Sequence, residues 1–393
     1  MILCANANAI PLADESVHCC MFSPPYWGLR VYDGCPETDW ADGWRGCLGL
    51  EPGVDLFIEH MMAVMSEVWR VLRADGTCWV NLGDSYGGGK MTEDTAGEGG
   101  HWSDLNGKKD RLCQQVKRKD LCLVPFRFAL AAQAAGWWVR SDLIWSKPNP
   151  MPESCTDRPS RAHEYVFLLS KRARYFYDGE AIRENYAPAS IERANYQVNK
   201  IGGSMETGQM QVASRGERTE CPKPNASGRN ARDVWSIPTQ SYSGAHFATW
   251  PERLVERMIL AGTSAKGVCE HCGAPWVRVI DKRFEAQEDV SPERGVRATE
   301  SLDGSSGWAG SPRGATISKA TGWRAGCDCA DNCGSGRAVV LDPFCGSGTT
   351  VAVANRMGRC GVGLDISGKY LDEQARKRVA KDSAQRVLFS AGL

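Results

Sequence analysis

Residues 338–367, AVVLDPFCGSGTTVAVANRMGRCGVGLDIS, restrict the fold more than any other stretch of the chain. They read as a buried strand, a glycine turn, a helix and a second strand ending at Asp365. Similar alternation recurs upstream. VHCCMF (17–22) is a buried strand that stops at Pro24-Pro25. Residues 54–73 have helical spacing and run up to a helix stop at Asp75-Gly76, followed by a strand at 77–83. A helix is expected over 121–139, strands over 141–147 and 163–171, a helix over 250–260 with Pro251 in its first turn, and a last helix over 369–393. Helices and strands in this alternation predict an α/β fold with a largely parallel sheet.

The remaining composition narrows the class. With 42% hydrophobic and 24% charged residues over 393 positions, the chain is globular and long enough for two or three units. Large apolar residues thin out at 187–233 and 281–322, which read as insertions facing a substrate. Lys plus Arg equals Asp plus Glu at 47 each, so nucleic-acid binding would have to rest on local basic patches. No run of 18 apolar residues appears and the N-terminus lacks a secretory pattern, so no membrane partner and a cytoplasmic location are expected. Most of the 17 cysteines sit singly among apolar residues, as reduced thiols do.

Gly346-Ser347-Gly348 would let the backbone approach a ligand closely. No Lys follows, as a phosphate-binding P-loop needs, and the third glycine of a dinucleotide fingerprint is missing. An acid at Asp365, 17 residues beyond Gly348, suits the hydroxyls of a ribose. A nucleoside without phosphates, such as S-adenosylmethionine, fits this set; the glycine turn alone fits a plain tight turn equally well. At the other end, Ser23-Pro24-Pro25-Tyr26-Trp27 closes a buried strand. Two prolines donate no N–H and leave rigid carbonyl acceptors beside a hydroxyl and an aromatic ring. Such acceptors could hold the hydrogens of an exocyclic amine and free its lone pair, while the ring stacks on an everted base. A strand-ending turn beside core aromatics is the plainer alternative.

Together these residues give the chain a likeness. It resembles the permuted β-class of DNA amino-methyltransferases, which act on cytosine-N4 or adenine-N6. In that class an S/D/N-P-P-Y/F/W segment comes first and the cofactor's glycine turn comes late, as Ser23–Tyr26 and DPFCGSGTT (342–350) do here. His246 to Pro251 with Leu254, and residues 143–171, match further shared blocks. The resemblance implies a circularly permuted, seven-stranded Rossmann-like methyltransferase sheet. Its catalytic residues would be Ser23, Pro24, Pro25 and Tyr26. S-adenosylmethionine would be held by Asn6, Thr249, Trp250, Pro251, Asp342, Pro343, Phe344, Gly346, Gly348, Thr349 and Asp365. Asn6 stands where the family usually has Asp. Double-stranded DNA would be the substrate, with a cognate restriction endonuclease as a possible partner. Serine at position 23 leans towards cytosine-N4. Adenine-N6, RNA or protein as substrate, and a DNA-binding protein that no longer catalyses, are the alternatives.

Cys269-x-x-Cys272 and Cys327-x-Cys329 form two pairs 54 residues apart, with Gly273 suited to the turn of a zinc knuckle. A structural zinc on these four thiolates is expected, with Cys333 and His271 as spare ligands. Phosphate contacts are expected from 101–120 (Lys108, Lys109, Arg111, Lys117, Arg118, Lys119) and from Arg158 and Arg161. Base reading is expected from the insertion with Arg193, Arg215, Arg218, Arg229 and Arg232. Trp27, Trp44, Trp102 and Trp145 are candidate stacking faces. The chain divides as a catalytic part (1–185), a target-recognition insertion (186–245), a cofactor segment (246–265), a Cys-rich zinc insertion (266–335) and a cofactor-binding part (336–393).

Overall fold

The computed structural model describes residues 1–28, 36–87, 116–195, 198–199, 218–219, 227–240, 250–286 and 314–382. In chain order, β1 is Ile2–Cys4, β2 Val17–Phe22, β3 Thr38–Asp39, β4 Arg45–Gly46, α1 Val54–Val71, β5 Leu72–Leu82, α2 Val124–Ala134, β6 Trp138–Ser146 and β7 His163–Ser170. Then come α3 Pro188–Asn195, β8 Val198–Asn199, β9 Arg218–Thr219, β10 Val234–Ser236 and α4 Glu252–Gly262. The chain continues with β11 Val277–Ala286, β12 Gly314–Arg324, β13 Val339–Asp342, α5 Thr349–Arg356, β14 Cys360–Asp365 and α6 Gly368–Tyr370.

Two compact units result. One holds Met1–Asp178, Arg232–Val277 and Ala325–Leu393; the other holds Gly179–Ala231 and Arg278–Arg324. The first is built on one eight-stranded sheet in the order β1-β14-β13-β2-β5-β7-β6-β10. Its strands run parallel except β7, which is antiparallel to both β5 and β6. One strand more is present than the resemblance implies. The extra edge strand β10 pairs with β6 because Trp235 gains a buried site, 6.1 Å from the Trp79 ring and 4.6 Å beneath the Arg257 guanidinium.

Amphipathic α1 buries Phe57, Met61, Val64, Met65 and Val68 in the core. It ends earlier than the sequence indicates. Leu72 is already extended and pairs with Val17, and a register shift between Val17 and Cys19 accommodates residues 73–76. The stop therefore precedes Asp75-Gly76. Likewise α2 ends at Ala134, where Gly136 (φ 95°) carries the chain out and Trp137 N–H returns to Ala132 O at 3.0 Å.

Strands β13 and β2 are parallel neighbours, with Val340 opposite Cys19 and Leu341 opposite Cys20. From β13 the chain passes through α5 to β14 on one side, whereas β2 leads to β5 on the other. Their carboxyl ends thus open a crevice at the point where the strand order reverses. No helix among the described residues is long and apolar enough to cross a membrane.

In the second unit, Glu184 and Arg229 exchange backbone hydrogen bonds at 2.9 Å each way and form an ion pair at 3.3 Å. The β11–β12 ribbon carries Arg278 stacked 4.3 Å over Trp323.

Helix α5 approaches β14 so closely that a Cβ on Gly361 would stand 2.7 Å from Val351 O and 2.9 Å from its Cα. Gly361→Ala is expected to lower stability by ~1–3 kcal/mol in denaturant titration, since backbone must move to admit the methyl. An unchanged midpoint would show that α5 yields freely.

Candidate active site

A cleft of about 730 Å³ opens at the carboxyl ends of β13 and β2. Ser23, Pro24, Pro25 and Tyr26 form one part of its lining, and Asp342 to Ser347 with Thr349 and Asp365 form another. The segments singled out at the two ends of the sequence therefore face one space.

Tyr26 is held firmly. Its hydroxyl donates to Glu164 Oε2 at 2.7 Å and accepts from Asn81 Nδ2 at 2.8 Å and from Ser23 Oγ at 3.2 Å. Asn81 also donates to Glu164 Oε2 at 2.7 Å. The other oxygen of Glu164 pairs with Lys147, whose ammonium lies 4.6 Å from the Trp145 ring centroid. Packing fixes the Tyr26 ring as well, because a Cβ on Gly83 would come within 2.6 Å of it. Asn81, Lys147 and Glu164 went unnoticed in the sequence. One signal was available: Asn81 is the polar residue in the middle of TCWVNLG, and a buried amide demands partners.

At the glycine turn, Gly346 and Gly348 have φ of 48° and 76°. They differ in what a side chain would meet. A Cβ at 346 finds nothing nearer than 3.9 Å, whereas at 348 it would press on Ala375 at 3.2 Å. Gly346 thus offers backbone to the cleft, and Gly348, which is not part of the lining, packs the turn from behind. Asp342 accepts from Thr350 Oγ1 at 2.5 Å and from Phe344 N–H at 3.0 Å. Complete burial nonetheless pushes its carboxyl up to about 7. Asp365 accepts from Gly346 N–H at 3.2 Å and Ser367 N–H at 2.9 Å, and burial raises it too. Phe344 packs 5.5 Å from the Phe22 ring, joining the two strand ends.

Asn6 lines the cleft, donates to Thr38 Oγ1 at 2.9 Å and accepts from Asn8 N–H at 3.1 Å. Trp250 and Pro343 also line it. Pro251 is buried at the N-cap of α4, away from the lining. Thr249 and His246 lie outside the described residues. A further wall comes from residues 36–48, and a buried acid organises it. Glu51 accepts from Gly49 N–H at 2.8 Å and meets His60 Nδ1 at 2.9 Å, with His60 stacked between Trp40 (3.9 Å) and Trp44 (5.2 Å). Burial raises the Glu51 carboxyl.

Some expected contacts need correcting. Trp27 and Trp145 are only 4% exposed and their indole N–H groups donate to Glu51 O and Ile237 O; Trp27 is a core residue away from the lining, whereas Trp145 also lines the cleft. Trp44 is occupied by His60. Arg158 is paired with Glu153 at 2.6 Å and lies 4.0 Å over Tyr86, while Arg161 lines the cleft. Lys119 pairs with Asp157 at 2.6 Å. Trp102, Lys108, Lys109, Arg111 and Arg215 are outside the described residues.

The thiol atoms of Cys269, Cys272, Cys327 and Cys329 all lie within 4.8 Å of one another. Tetrahedral thiolate coordination at about 2.3 Å per bond needs sulfur atoms about 3.8 Å apart, so this group fits a closed four-sulfur site. Backbone N–H groups, chiefly that of Cys272, pull the Cys269 thiol down to about 6, while the neighbouring thiols, Cys272 first, push Cys329 up to about 12. A divalent cation would relieve that crowding. Cys333 instead donates to Glu270 at 3.1 Å, and His271 is not part of the group. The turn is anchored to the amino ends of the central strands: Arg73 Nη1 donates to Cys272 O and His18 Nε2 to Gly273 O, both at 2.8 Å.

A strand order that reverses above one cleft, with a proline-rigid rim beside a glycine turn, is the layout of a ligand site at the switch point of an α/β sheet. Comparison with known proteins narrows this. A family described as DNA methylase, the N6/N4 methyltransferases, matches residues 17–269 and 334–377. The type II methyltransferase M.Cfr9I of Citrobacter freundii is 36% identical over 259 residues, covering 64% of this chain and 68% of that protein. M.SmaI of Serratia marcescens is 36% identical over 264 residues, covering 65% and 72%. Among solved structures, the PvuII DNA methyltransferase (cytosine-N4-specific) aligns over 96% of this chain and 85% of its own, with a TM-score of 0.49 and 14% identity. The chain belongs to the N6/N4 DNA methylase family and is a DNA amino-methyltransferase.

The raised carboxyl of Asp342 has a consequence for stability. A group whose folded value lies above its unfolded value stabilises the fold fully below the unfolded value, 3.8, and loses that contribution as pH rises through the folded one, about 7. Asparagine has no such titration. The unfolding free energy of Asp342→Asn relative to wild type should therefore climb between pH 4 and pH 7, by at most about 3–4 kcal/mol. A flat difference across that window would show that Asp342 stays charged.

Proposed function

We propose that this protein transfers the methyl group of S-adenosylmethionine to the exocyclic amine of a base everted from double-stranded DNA, with cytosine-N4 as the target. The observation that carries this reading is the adjacency of Ser23-Pro24 and the glycine turn across the paired strands β2 and β13. An exocyclic amine is a poor nucleophile because its lone pair is conjugated with the ring. Ser23 Oγ and the Pro24 carbonyl would accept its hydrogens and draw the nitrogen out of conjugation, beside Tyr26. When bound, the cofactor supplies an electrophilic methyl group on a sulfonium. The residues fit it: Asp365 would take the ribose hydroxyls, Gly346 leaves its backbone open to the cleft, and Asn6, Trp250, Pro343, Phe344 and Thr349 complete the walls. Thr249 and Pro251 would support that segment. The lean towards cytosine rests on serine at position 23.

The order of the chain, with the catalytic segment after β2 and the glycine turn after β13, would be the permuted arrangement of the class. Target recognition would fall to the second unit, with its stacked Arg278 and Trp323. A cognate restriction endonuclease would be its partner in the cell. The four-cysteine group would hold a structural zinc without an open position, since amine methylation needs no activated water.

Transfer of labelled methyl groups to duplex DNA, followed by nucleoside mass spectrometry, should yield N4-methylcytosine. N6-methyladenine would correct the base, and incorporation into RNA or protein would overturn the substrate. Ser23→Ala should cut the single-turnover rate by roughly 100-fold while cofactor affinity holds; an unchanged rate would remove Ser23 from the chemistry.

For the metal, elemental analysis should find one zinc per chain. Cys269→Ser, or a strong chelator, should lower the thermal midpoint by several degrees, corresponding to a loss of about 2 kcal/mol or more. A midpoint indifferent to both would exclude a structural zinc.

A further inference from the structure

We propose that Glu164 is the final acceptor of the proton that the methylated amine must lose, reached through the hydroxyls of Ser23 and Tyr26. The proposal rests on the reading of Ser23–Tyr26 as the amine-holding segment.

The hydrogens in this network have one direction, and a carboxylate sets it. Glu164 Oε2 only accepts, so Tyr26 Oη must donate to it across 2.7 Å, and Asn81 must turn its amide nitrogen to it, also at 2.7 Å. The same nitrogen donates to Tyr26 Oη at 2.8 Å. With its own proton committed to Glu164, Tyr26 Oη accepts from Ser23 Oγ at 3.2 Å. Asn81 Nδ2 also lies 3.4 Å from Ser23 Oγ, but its two hydrogens serve the shorter bonds to Glu164 and Tyr26, so Ser23 Oγ, on the cleft lining, is an acceptor towards a ligand. The two carboxylate oxygens divide the work, for Oε1 pairs with Lys147 while Oε2 serves the chain of hydroxyls.

The reaction needs such an outlet. The amine nitrogen forms its bond to the methyl carbon with its lone pair, and the carbon–sulfur pair leaves with sulfur. Nitrogen is now positive and carries two hydrogens. One N–H bond breaks and its electron pair stays on nitrogen. The proton arrives at Ser23 Oγ, the Ser23 proton passes to Tyr26 Oη, and the Tyr26 proton passes to Glu164 Oε2. Both hydroxyls end as they began, and the carboxylate ends as a carboxylic acid beside Lys147, which keeps its charge. Glu164 lines the cleft and releases the proton to solvent once product leaves. Glu164 acts through Tyr26 and is a positioning and proton-accepting residue rather than one that touches the base.

Glu164→Gln keeps an oxygen for Tyr26 but cannot take a proton. Single-turnover methyl transfer should fall roughly 100-fold, with cofactor and DNA affinities unchanged. Tyr26→Phe should lose a similar factor, and the double variant no more than the larger single loss, because either change cuts the same chain. Glu164→Asp, which keeps a carboxylate to take the proton, should recover most of the rate that Glu164→Gln loses. Lys147 from the end of β6 and Tyr26 from beyond β2 face Glu164 directly. A wild-type rate in Glu164→Gln, or losses that multiply in the double variant, would overturn the relay and leave the methyltransferase reading standing. Wild-type protein inactive on every duplex tested would overturn both.

Discussion

The parallel pairing of β13 with β2 is the contact on which the rest of this molecule depends. It joins residues more than 300 positions apart in the chain and sets the ends of two strands one ladder spacing from each other, about 4.8 Å. The strands themselves are ordinary apolar runs, buried on both faces as parallel strands must be. What matters is where they stop. Pro24-Pro25 ends one and a glycine turn ends the other, so a rim of acceptors and a stretch of bare backbone share one opening. The contact between Phe22 and Phe344 ties those ends together.

The amino ends of the central strands are secured by different means. Val339 N–H, at the start of β13, donates to His18 Nδ1 on β2 at 3.0 Å, and His18 Nε2 donates to Gly273 O in the cysteine turn. One imidazole nitrogen accepts and the other donates, which requires a neutral ring, and burial lowers its affinity for a proton accordingly. Arg73, beside the start of β5, reaches Cys272 O. The cysteine turn is therefore joined directly to β2 and β5, and to β13 through His18, at the end remote from the cleft. A segment with little apolar surface of its own gains order from the sheet and returns it by fixing strand ends.

Much of the fold could be read beforehand because it depends on local pattern. VHCCMF and AVVLD carry no alternation and are bounded by breakers, so their identity as buried strands follows directly. The ends of α1 and α2 were harder. Val71 stops the first because Leu72 finds a partner in Val17, and no local residue announces that. The second ends at Ala134, before Gly136, although its apolar pattern runs on to residue 139. The proline rim and glycine turn were legible because prolines and glycines declare backbone constraints in the sequence. Asn81, Lys147 and Glu164 were not, since each is an unremarkable polar residue whose meaning comes from its neighbours on three different strands.

By itself, then, the amino-acid sequence determined the parts: strands that end in rigid acceptors or bare backbone, an acid at the end of the strand after the turn, and two cysteine pairs at ligand spacing. These are statements about single segments, governed by backbone sterics and burial. Tertiary structure alone decided their meeting. It set β13 against β2, gathered four thiols within 4.8 Å, excluded Cys333, buried Trp27 and Trp145, and aimed Tyr26 at Glu164. The reason is physical: hydrogen-bond direction and charge pairing act over a few ångströms between atoms, and chain separation says nothing about that distance until the sheet has formed.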